Sequence, residues 1–425
     1  MTALGLKFYL NQESDFTHSI FATLRVGMRT ITDRMASLNV NQSNQLAGAL
    51  NEFSWEIYRN IGKDPSSNIF FSPFSIMSAL AMTFAGARGN TAEQMSDVLR
   101  FNKITDGDVH EAFQRLNDAI FSSNASYTLK AANRLYVHRD YNILDPFLKK
   151  TESKYKAGLV SVDFISAAEG ARSLINSWVS EQTSGKIPDL IPSGVLNSLT
   201  RLVLVNAIYF KGNWLKQFDL KRTTTEQFKV SNSESIPVQM MFLKEPLFYY
   251  DDQSLKCQVL SLPYIGSSLS MVVVLPDPSV SLTELESRIT TDVLSAWMKR
   301  SRKEKIKVFL PRFKLEETFT LNDHLSGMGM SDIFSPNKAD LSGITGDKDL
   351  SVSQVIHKAF IEVNEEGTEA AAATAVMMMT LSVEIIPTFR ADHPFLFLIR
   401  HNASGSILFL GRVVRPPVNK TKDEL

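Results

Sequence analysis

Side chains that could carry out catalysis are few in this 425-residue chain, and they are widely scattered. No G-x-S-x-G, G-x-x-x-x-G-K-[ST] or H-E-x-x-H pattern occurs, so the usual settings of a serine nucleophile, a bound phosphate or a catalytic zinc ion are missing. His110 and Glu111 begin the last pattern, but position 114 is Gln. The seven histidines have no metal-ligand spacing. We therefore expect no enzyme, no metal site and no cofactor.

Composition and charge argue against several classes of binding partner. The chain is 44% hydrophobic and 21% charged, as in an ordinary globular protein, and its 45 basic and 45 acidic residues balance. No overall field favours nucleic acid or an anionic membrane, and no apolar run is long enough for a membrane span. The single cysteine, Cys257, cannot form a disulfide within the chain. We interpret it as a small residue near a strand, with a reactive thiol as the alternative.

The most distinctive segment is polar at its start and then rich in small residues. It reads Glu365, Glu366, Gly367, Thr368, Glu369, Ala370, Ala371, Ala372, Ala373 and Thr374. Helix propensity favours an alanine-rich helix here. Small side chains would equally allow the segment to enter a β-sheet without a clash on either face, gaining ladder hydrogen bonds. Both interpretations remain open from the local residues alone.

Helical periodicity is strongest early in the chain, and strand patterns dominate later. Leu46, Leu50, Phe53 and Ile57 predict a helix that starts near Ser43 and stops near Gly62. A second helix is predicted to begin at Ser72-Pro73 and to end at Gly86 or Gly89. The predicted strands are Leu202–Phe210, Leu269–Leu275, Ile306–Phe313 and a hairpin of Phe395–Ile399 with Ile407–Val414. This order indicates an α+β fold with mixed or antiparallel sheets.

Several blocks of the sequence, taken with the segment EEGTEAAAAT at 365–374, resemble the serpin family of serine protease inhibitors. The matching blocks lie at 68–95, 131–137, 175–194, 205–214, 307–316, 393–400 and 407–416. The resemblance implies a metastable fold with three β-sheets, eight or nine helices and an exposed reactive loop. We expect an N-terminal extension at 1–42, one serpin domain at 43–418 and a tail at 419–425.

The resemblance also implies a mechanism and a reactive bond. A serine protease cleaves the loop and becomes covalently attached as an acyl-enzyme, and the loop then inserts into the large sheet before water can release the protease. Counting 14 positions from the hinge glycine Gly367 places the bond at Leu381-Ser382, with Met379 as the alternative first residue. Leu381 suits a chymotrypsin-like protease with a hydrophobic pocket. A non-inhibitory binding protein is the second hypothesis, but the hinge has the small residues of the inhibitory type.

The family's shutter, the polar cluster where the central strands part, corresponds here to Ser72, Ser75, Asn206 and His357. Asn206 interrupts an apolar strand and needs a hydrogen-bonding partner, for which His357 is suitable. Heparin binding through the stretch from His110 to Phe121 is not expected, because Arg115 is its only fixed cation. A denser basic run comprises Lys299, Arg300, Arg302, Lys303, Lys305 and Lys307. We interpret it as a solvated surface, with a polyanion site as the alternative.

Cellular location is predicted from the C-terminus. The last four residues, Lys422 to Leu425, spell the KDEL retrieval signal, which predicts the lumen of the endoplasmic reticulum and the KDEL receptor as a partner. Potential glycosylation sites occur at Asn41, Asn124, Asn402 and Asn419. No convincing signal peptide begins the chain, so the cytosol is the alternative. We expect a monomer.

Overall fold

A computed structural model describes residues 41–121, 127–366 and 386–417. Ten α-helices and fourteen strands lie in these residues. The helices are α1 (41–61), α2 (Pro73–Phe84), α3 (Gly89–Val98), α4 (Val109–Ile120), α5 (Asp145–Tyr155), α6 (Ala168–Gln182), α7 (Leu282–Arg288), α8 (Thr291–Arg300), α9 (Asn322–Gly327) and α10 (Ser342–Thr345). The strands are β1 (Ile69–Phe71), β2 (Tyr127–His138), β3 (Leu159–Val162), β4 (Leu202–Gly212), β5 (Thr224–Lys229), β6 (Ser235–Asp252), β7 (Cys257–Pro263), β8 (Leu269–Pro276), β9 (Arg302–Pro311), β10 (Phe313–Thr320), β11 (Val352–Val363), β12 (Thr388–Arg390), β13 (Phe395–His401) and β14 (Ile407–Val413).

The first two helices form where the sequence predicts them. The four apolar residues of α1 that follow helical spacing are all fully buried. Ser72 caps α2, since its hydroxyl accepts a hydrogen bond from the amide of Ser75 and Pro73 occupies the first turn. The helix ends at Phe84, slightly before the predicted glycines. The first helix includes positions 41 and 42, which were assigned to the N-terminal extension.

A five-stranded sheet forms the centre of the molecule, in the order β10-β11-β4-β2-β3. Strand β4 is almost entirely apolar up to Phe210, with Asn206 as the exception, because both of its faces are covered. Leu202, Leu204 and Ile208 belong to the large core, whereas Val203 and Val205 belong to a separate core beneath α6. In the middle of this sheet β4 and β11 run parallel, and their register extends from Leu202 opposite Val352 to Phe210 opposite Ile361.

The remaining strands form one nine-stranded network, β1-β14-β13-β8-β7-β6-β9-β12 with β5 attached to β6. The resemblance implies three sheets, and two of them are joined here through β6. This 18-residue strand pairs with β5 along its first part, with β9 through its middle and with β7 at its end. The described residues contain ten helices, whereas eight or nine were expected. The number is higher because it includes two short helices, α9 and α10. The predicted hairpin is confirmed, since β13 and β14 are antiparallel neighbours.

No helix among the described residues is both long enough and apolar enough to cross a bilayer.

Candidate functional site

Polar side chains form a hydrogen-bonded cluster near the middle of the parallel junction of β4 and β11, and all four predicted shutter residues belong to it. The side-chain amide of Asn206 donates to the backbone carbonyl of Ser75 at 2.9 Å and to its hydroxyl at 2.5 Å. The hydroxyl of Ser72 donates to the carbonyl of Leu408 at 2.6 Å. All four side chains are buried. This cluster therefore ties α2 and β14 to the two central strands, and its separation would leave buried polar groups unpaired.

His357 occupies the centre of this cluster and lies directly opposite Asn206 in the ladder. Its Nε2 accepts a hydrogen bond from the backbone N–H of Ser72 at 3.0 Å. Because that N–H can only donate, Nε2 carries no proton, and Nδ1 must donate to the Asn206 side-chain oxygen. Burial lowers the pKa of His357 from 6.5 to about 3. The imidazole is thus neutral, and protonation would place two donors against each other at Ser72.

Asn133 on β2 is a fifth member of the cluster, and sequence reasoning missed it. It lies opposite Asn206, accepts a hydrogen bond from the Ser75 hydroxyl at 3.2 Å and also accepts from the Asn206 amide. The only signal in the sequence is an amide within the block AANRLYV, and its meaning depends on strand pairing.

A second polar cluster lies at the carboxyl end of β11, where the alanine-rich segment begins. The carboxylate of Glu365 is almost fully buried and accepts hydrogen bonds from Arg312 Nη2 at 2.6 Å and from the Thr223 hydroxyl at 2.5 Å. Arg312 lies between β9 and β10, and Thr223 precedes β5. We call Glu365, Arg312 and Thr223 the hinge clamp. Its two partner residues come from distant parts of the sequence, which gave no signal for them.

The backbone next to the hinge clamp is held by the residues that follow β4. The Trp214 indole N–H donates to the carbonyl of Asn364 at 2.9 Å, and its backbone N–H donates to that of Glu366 at 3.2 Å. Phe218 N–H donates to the carbonyl of Glu365 at 2.9 Å. The Trp214 ring is itself fixed by stacking on Tyr264, with centroids 4.6 Å apart. The ends of β4 and β11 are therefore joined at the point where a new strand would enter between them.

The rest of the predicted loop lies outside the described residues. This applies to the hinge positions 367–374 and to the reactive bond Leu381-Ser382. The segment 367–385 connects the end of β11 in the five-stranded sheet to β12 in the other network.

Other predicted residues lie away from this junction. Asn41 and Asn402 both use their side-chain amides, in hydrogen bonds to Asp106 and to Ser267 respectively, whereas Asn124 and Asn419 lie outside the described residues. Cys257 is buried, and this burial raises the pKa of its thiol to about 12, which favours the inert interpretation.

Comparison with known proteins relates the chain to protease inhibitors. It is 49% identical to the human leukocyte elastase inhibitor over 379 residues, covering 88% of this chain and 100% of the relative. It is 46% identical to serpin B6 of Macaca fascicularis over 374 residues, covering 87% and 99% of the two chains. The crystal structure of uncleaved ovalbumin matches with a TM-score of 0.81 and 38% identity, covering 87% of this chain and 100% of that chain.

These relatives correct the predicted location. The lumen of the endoplasmic reticulum is wrong as a prediction, because the relatives named leukocyte elastase inhibitor point to the cytosol, the alternative considered above. A terminal KDEL tetrapeptide is an address that only a chain inside the secretory pathway presents to its receptor. Four residues at a terminus therefore carried too much of that prediction.

The family itself is established over most of the molecule. The model of the family described as serpin, serine protease inhibitor, matches residues 48–416, which include every described residue of the shutter and of the hinge clamp. This chain therefore belongs to the serpin family.

Proposed function

We propose that this protein inhibits serine proteases with a hydrophobic primary pocket, and that it does so as a suicide substrate cleaved between Leu381 and Ser382. The observation that carries the proposal is that β11 ends at Val363, beside its parallel ladder with β4, and that the chain continues from there into the alanine-rich segment. A segment that folds back from this point runs antiparallel to both strands.

Pairing geometry favours such an insertion. Parallel ladders are slightly less stable per residue than antiparallel ones. A strand inserted between β4 and β11 replaces one parallel ladder with two antiparallel ladders, so the sheet gains both a ladder and a better hydrogen-bond pattern. The small side chains from Ala370 to Ala375 allow the new strand to fit beneath α6 on one face and above the large core on the other.

The proposed reaction begins as ordinary proteolysis. The protease serine attacks the carbonyl carbon of Leu381, the amide bond to Ser382 breaks, and Ser382 leaves as a free amine while Leu381 remains joined to the protease as an ester. Insertion of residues 367–381, at roughly 3.3 Å per residue, carries that ester about 50 Å along the sheet. We infer that this displacement distorts the protease and prevents water from completing the second step.

Specificity follows from the side chain at the cleaved bond. Leu381 suits a hydrophobic pocket, and no Arg or Lys occurs between Gly367 and Phe389, so proteases that require a cation are poor targets. The names of the leukocyte elastase inhibitors support an elastase-like target among the hydrophobic-pocket proteases. The proposed inhibitor is a monomer with one serpin domain at 43–418.

Exchange of the primary residue tests the reactive bond. Wild-type protein should form an SDS-stable complex with chymotrypsin or leukocyte elastase, and Leu381→Arg should lose most of that reaction and gain a complex with trypsin. Electrophoresis and N-terminal sequencing of the released fragment are the measurements. Met379→Arg is the matched control for the alternative position. Cleavage without any complex would contradict inhibition, and a new N-terminus other than Ser382 would contradict the assigned bond.

The hinge clamp should control how easily the sheet opens. Glu365→Lys places a second cation against Arg312 and leaves the guanidinium without its carboxylate, a change that costs roughly 1 to 3 kcal/mol of native-state stability. We expect a lower thermal midpoint and faster polymerisation on mild heating, measured by circular dichroism and native electrophoresis. Glu365→Gln, which keeps the size but not the charge, should have a smaller effect. The exchange of charges in Glu365→Arg with Arg312→Glu should recover part of the loss, and equal midpoints for all variants would exclude the clamp.

The shutter should make sheet opening sensitive to pH. The pKa of His357 is about 3 in the native state and 6.5 when the residue is solvated, so its contribution to stability is present above pH 6.5 and is lost as the pH falls from 6.5 toward 3. If opening solvates His357, lowering the pH from about 7.5 to about 5.5 should speed polymerisation up to about tenfold.

Native electrophoresis of samples heated at the two pH values measures this effect. His357→Gln retains an acceptor for Ser72 and a donor for Asn206 but cannot titrate, so its rate should vary much less with pH. Equal wild-type rates at the two pH values would contradict the role of His357.

A further inference from the structure

A cationic face lies on the outer side of β6 and β9 and includes no residue of the shutter or the hinge clamp. Residues directly opposite each other in an antiparallel pair share a face. Lys244 lies opposite Lys307, Pro246 opposite Lys305, and Phe248 opposite Lys303. We call these six residues the lysine face. Its reverse side carries Leu243, Leu247, Ile306 and Val308, which are buried in the large core, so the lysine face itself points outward.

Little negative charge lies on this face. Glu245 is opposite Ile306 and Glu304 is opposite Leu247, so both carboxylates belong to the reverse side. No carboxylate within the described parts of the chain forms an ion pair with Lys244, Lys303 or Lys307. The chain has no net charge, so this concentration of cations is a local feature of the fold and not a consequence of a basic protein.

The basic end of α8 extends the lysine face at one edge. Trp297 is buried and its indole N–H donates to the Asp252 carboxylate at 2.7 Å, which fixes α8 against the end of β6. Lys299 and Arg300 are therefore held beside the strands, and Arg300 Nη1 contacts the Tyr250 hydroxyl at 3.4 Å.

Aromatic rings accompany the cations. The Phe248 side chain is 50% exposed, which is unusual for a large apolar ring, and it lies on the face next to Lys303. At the other end the Phe242 and Phe309 rings are 5.0 Å apart, and the guanidinium groups of Arg222 and Arg390 each lie 3.7 Å above one of them. Arg390 forms an ion pair with Glu226 at 2.5 Å and therefore adds little net positive charge to this end of the face.

The dimensions suit a single extended chain with regularly spaced negative charges. Lysines on alternate residues of one strand are roughly 7 Å apart, and the row from Lys303 to Phe309 is about 20 Å long. An open sheet face with exposed rings and cations is a general means of binding single-stranded nucleic acid, because phosphates meet the cations and bases stack on the rings. A sulfated polysaccharide would use the cations but would leave Phe248 without a stacking partner.

We propose that the lysine face binds single-stranded nucleic acid, with Lys244, Lys303 and Lys307 contacting phosphates and Phe248 stacking on a base. Neither the balanced composition nor serpin activity assigns this surface. For the basic run between Lys299 and Lys307, this proposal favours the polyanion site that the sequence analysis gave as the alternative to a solvated surface. The proposal is independent of the inhibitory function, because none of these residues belongs to the shutter, the hinge clamp or the reactive bond.

Fluorescence anisotropy with a labelled oligothymidylate of about 12 nucleotides tests this proposal with the full-length protein, at about 50 and about 200 mM salt. With three phosphate contacts, the slope of log affinity against log salt should be about −2, and Lys303→Gln with Lys307→Gln should make it shallower by about 1.4. Lys63→Gln with Lys149→Gln, which removes the same charge from exposed positions outside the face, should leave the slope unchanged.

Stacking is tested separately by changes of Phe248. Phe248→Leu should weaken oligothymidylate binding at least fivefold with little change of the salt slope, whereas Phe248→Trp should retain binding. The assignment to nucleic acid would be overturned if heparin bound more strongly than oligothymidylate and if Phe248→Leu did not alter heparin binding. Equal binding by wild-type protein and the Lys303→Gln, Lys307→Gln variant would overturn the site itself. Protease inhibition by these variants should match that of wild-type protein. Failure of the proposed nucleic-acid site would therefore change oligothymidylate binding alone, and failure of the proposed function would appear in the protease assay alone.

Discussion

The parallel pairing of β4 with β11 is the constraint on which this structure depends. These strands lie side by side in the centre of a five-stranded sheet, although parallel ladders are slightly less stable per residue than antiparallel ones, and insertion of the reactive loop would give each strand an antiparallel neighbour. The native state is consequently one of two arrangements of the same sequence. We propose that the cost of separating β4 from β11 keeps it in place, and that the two polar clusters raise this cost at the middle and at the end of the junction.

The two clusters resist opening in different ways. The shutter is a closed set of neutral hydrogen bonds in which each donor meets an acceptor, and one histidine tautomer is compatible with it. The hinge clamp relies on a buried carboxylate held by a guanidinium and a hydroxyl, close to the first residues that must move. A cluster of the first kind makes opening cooperative, because the loss of one bond leaves several buried groups unsatisfied. A cluster of the second kind ties the position of the loop to a single charged contact.

Local sequence patterns predicted the elements but not the contacts between distant strands. The helical spacing of Leu46 to Ile57, the cap at Ser72 and the apolar run of β4 follow from chain-local physics, and all three are confirmed. The need of Asn206 for a partner was evident, and His357 is that partner. Asn133, Thr223 and Arg312 were missed because only strand pairing brings them to the site. The joining of two expected sheets through β6 was missed for the same reason. The predicted location was wrong because a C-terminal KDEL signal acts only in a protein that has entered the secretory pathway, and the fold does not determine that entry.

We conclude that the native sheet is held short of its most stable arrangement and gains a strand when the reactive loop is cut. The most direct measurement is the thermal midpoint before and after cleavage of the loop by a protease that is not inhibited. We expect a rise on the order of tens of degrees, since the cleaved segment adds a ladder on each side. Thr374→Arg, which places a charged side chain in the inserting segment, should abolish most of that rise. An unchanged midpoint in the cleaved wild-type protein would show that the sheet does not gain a strand.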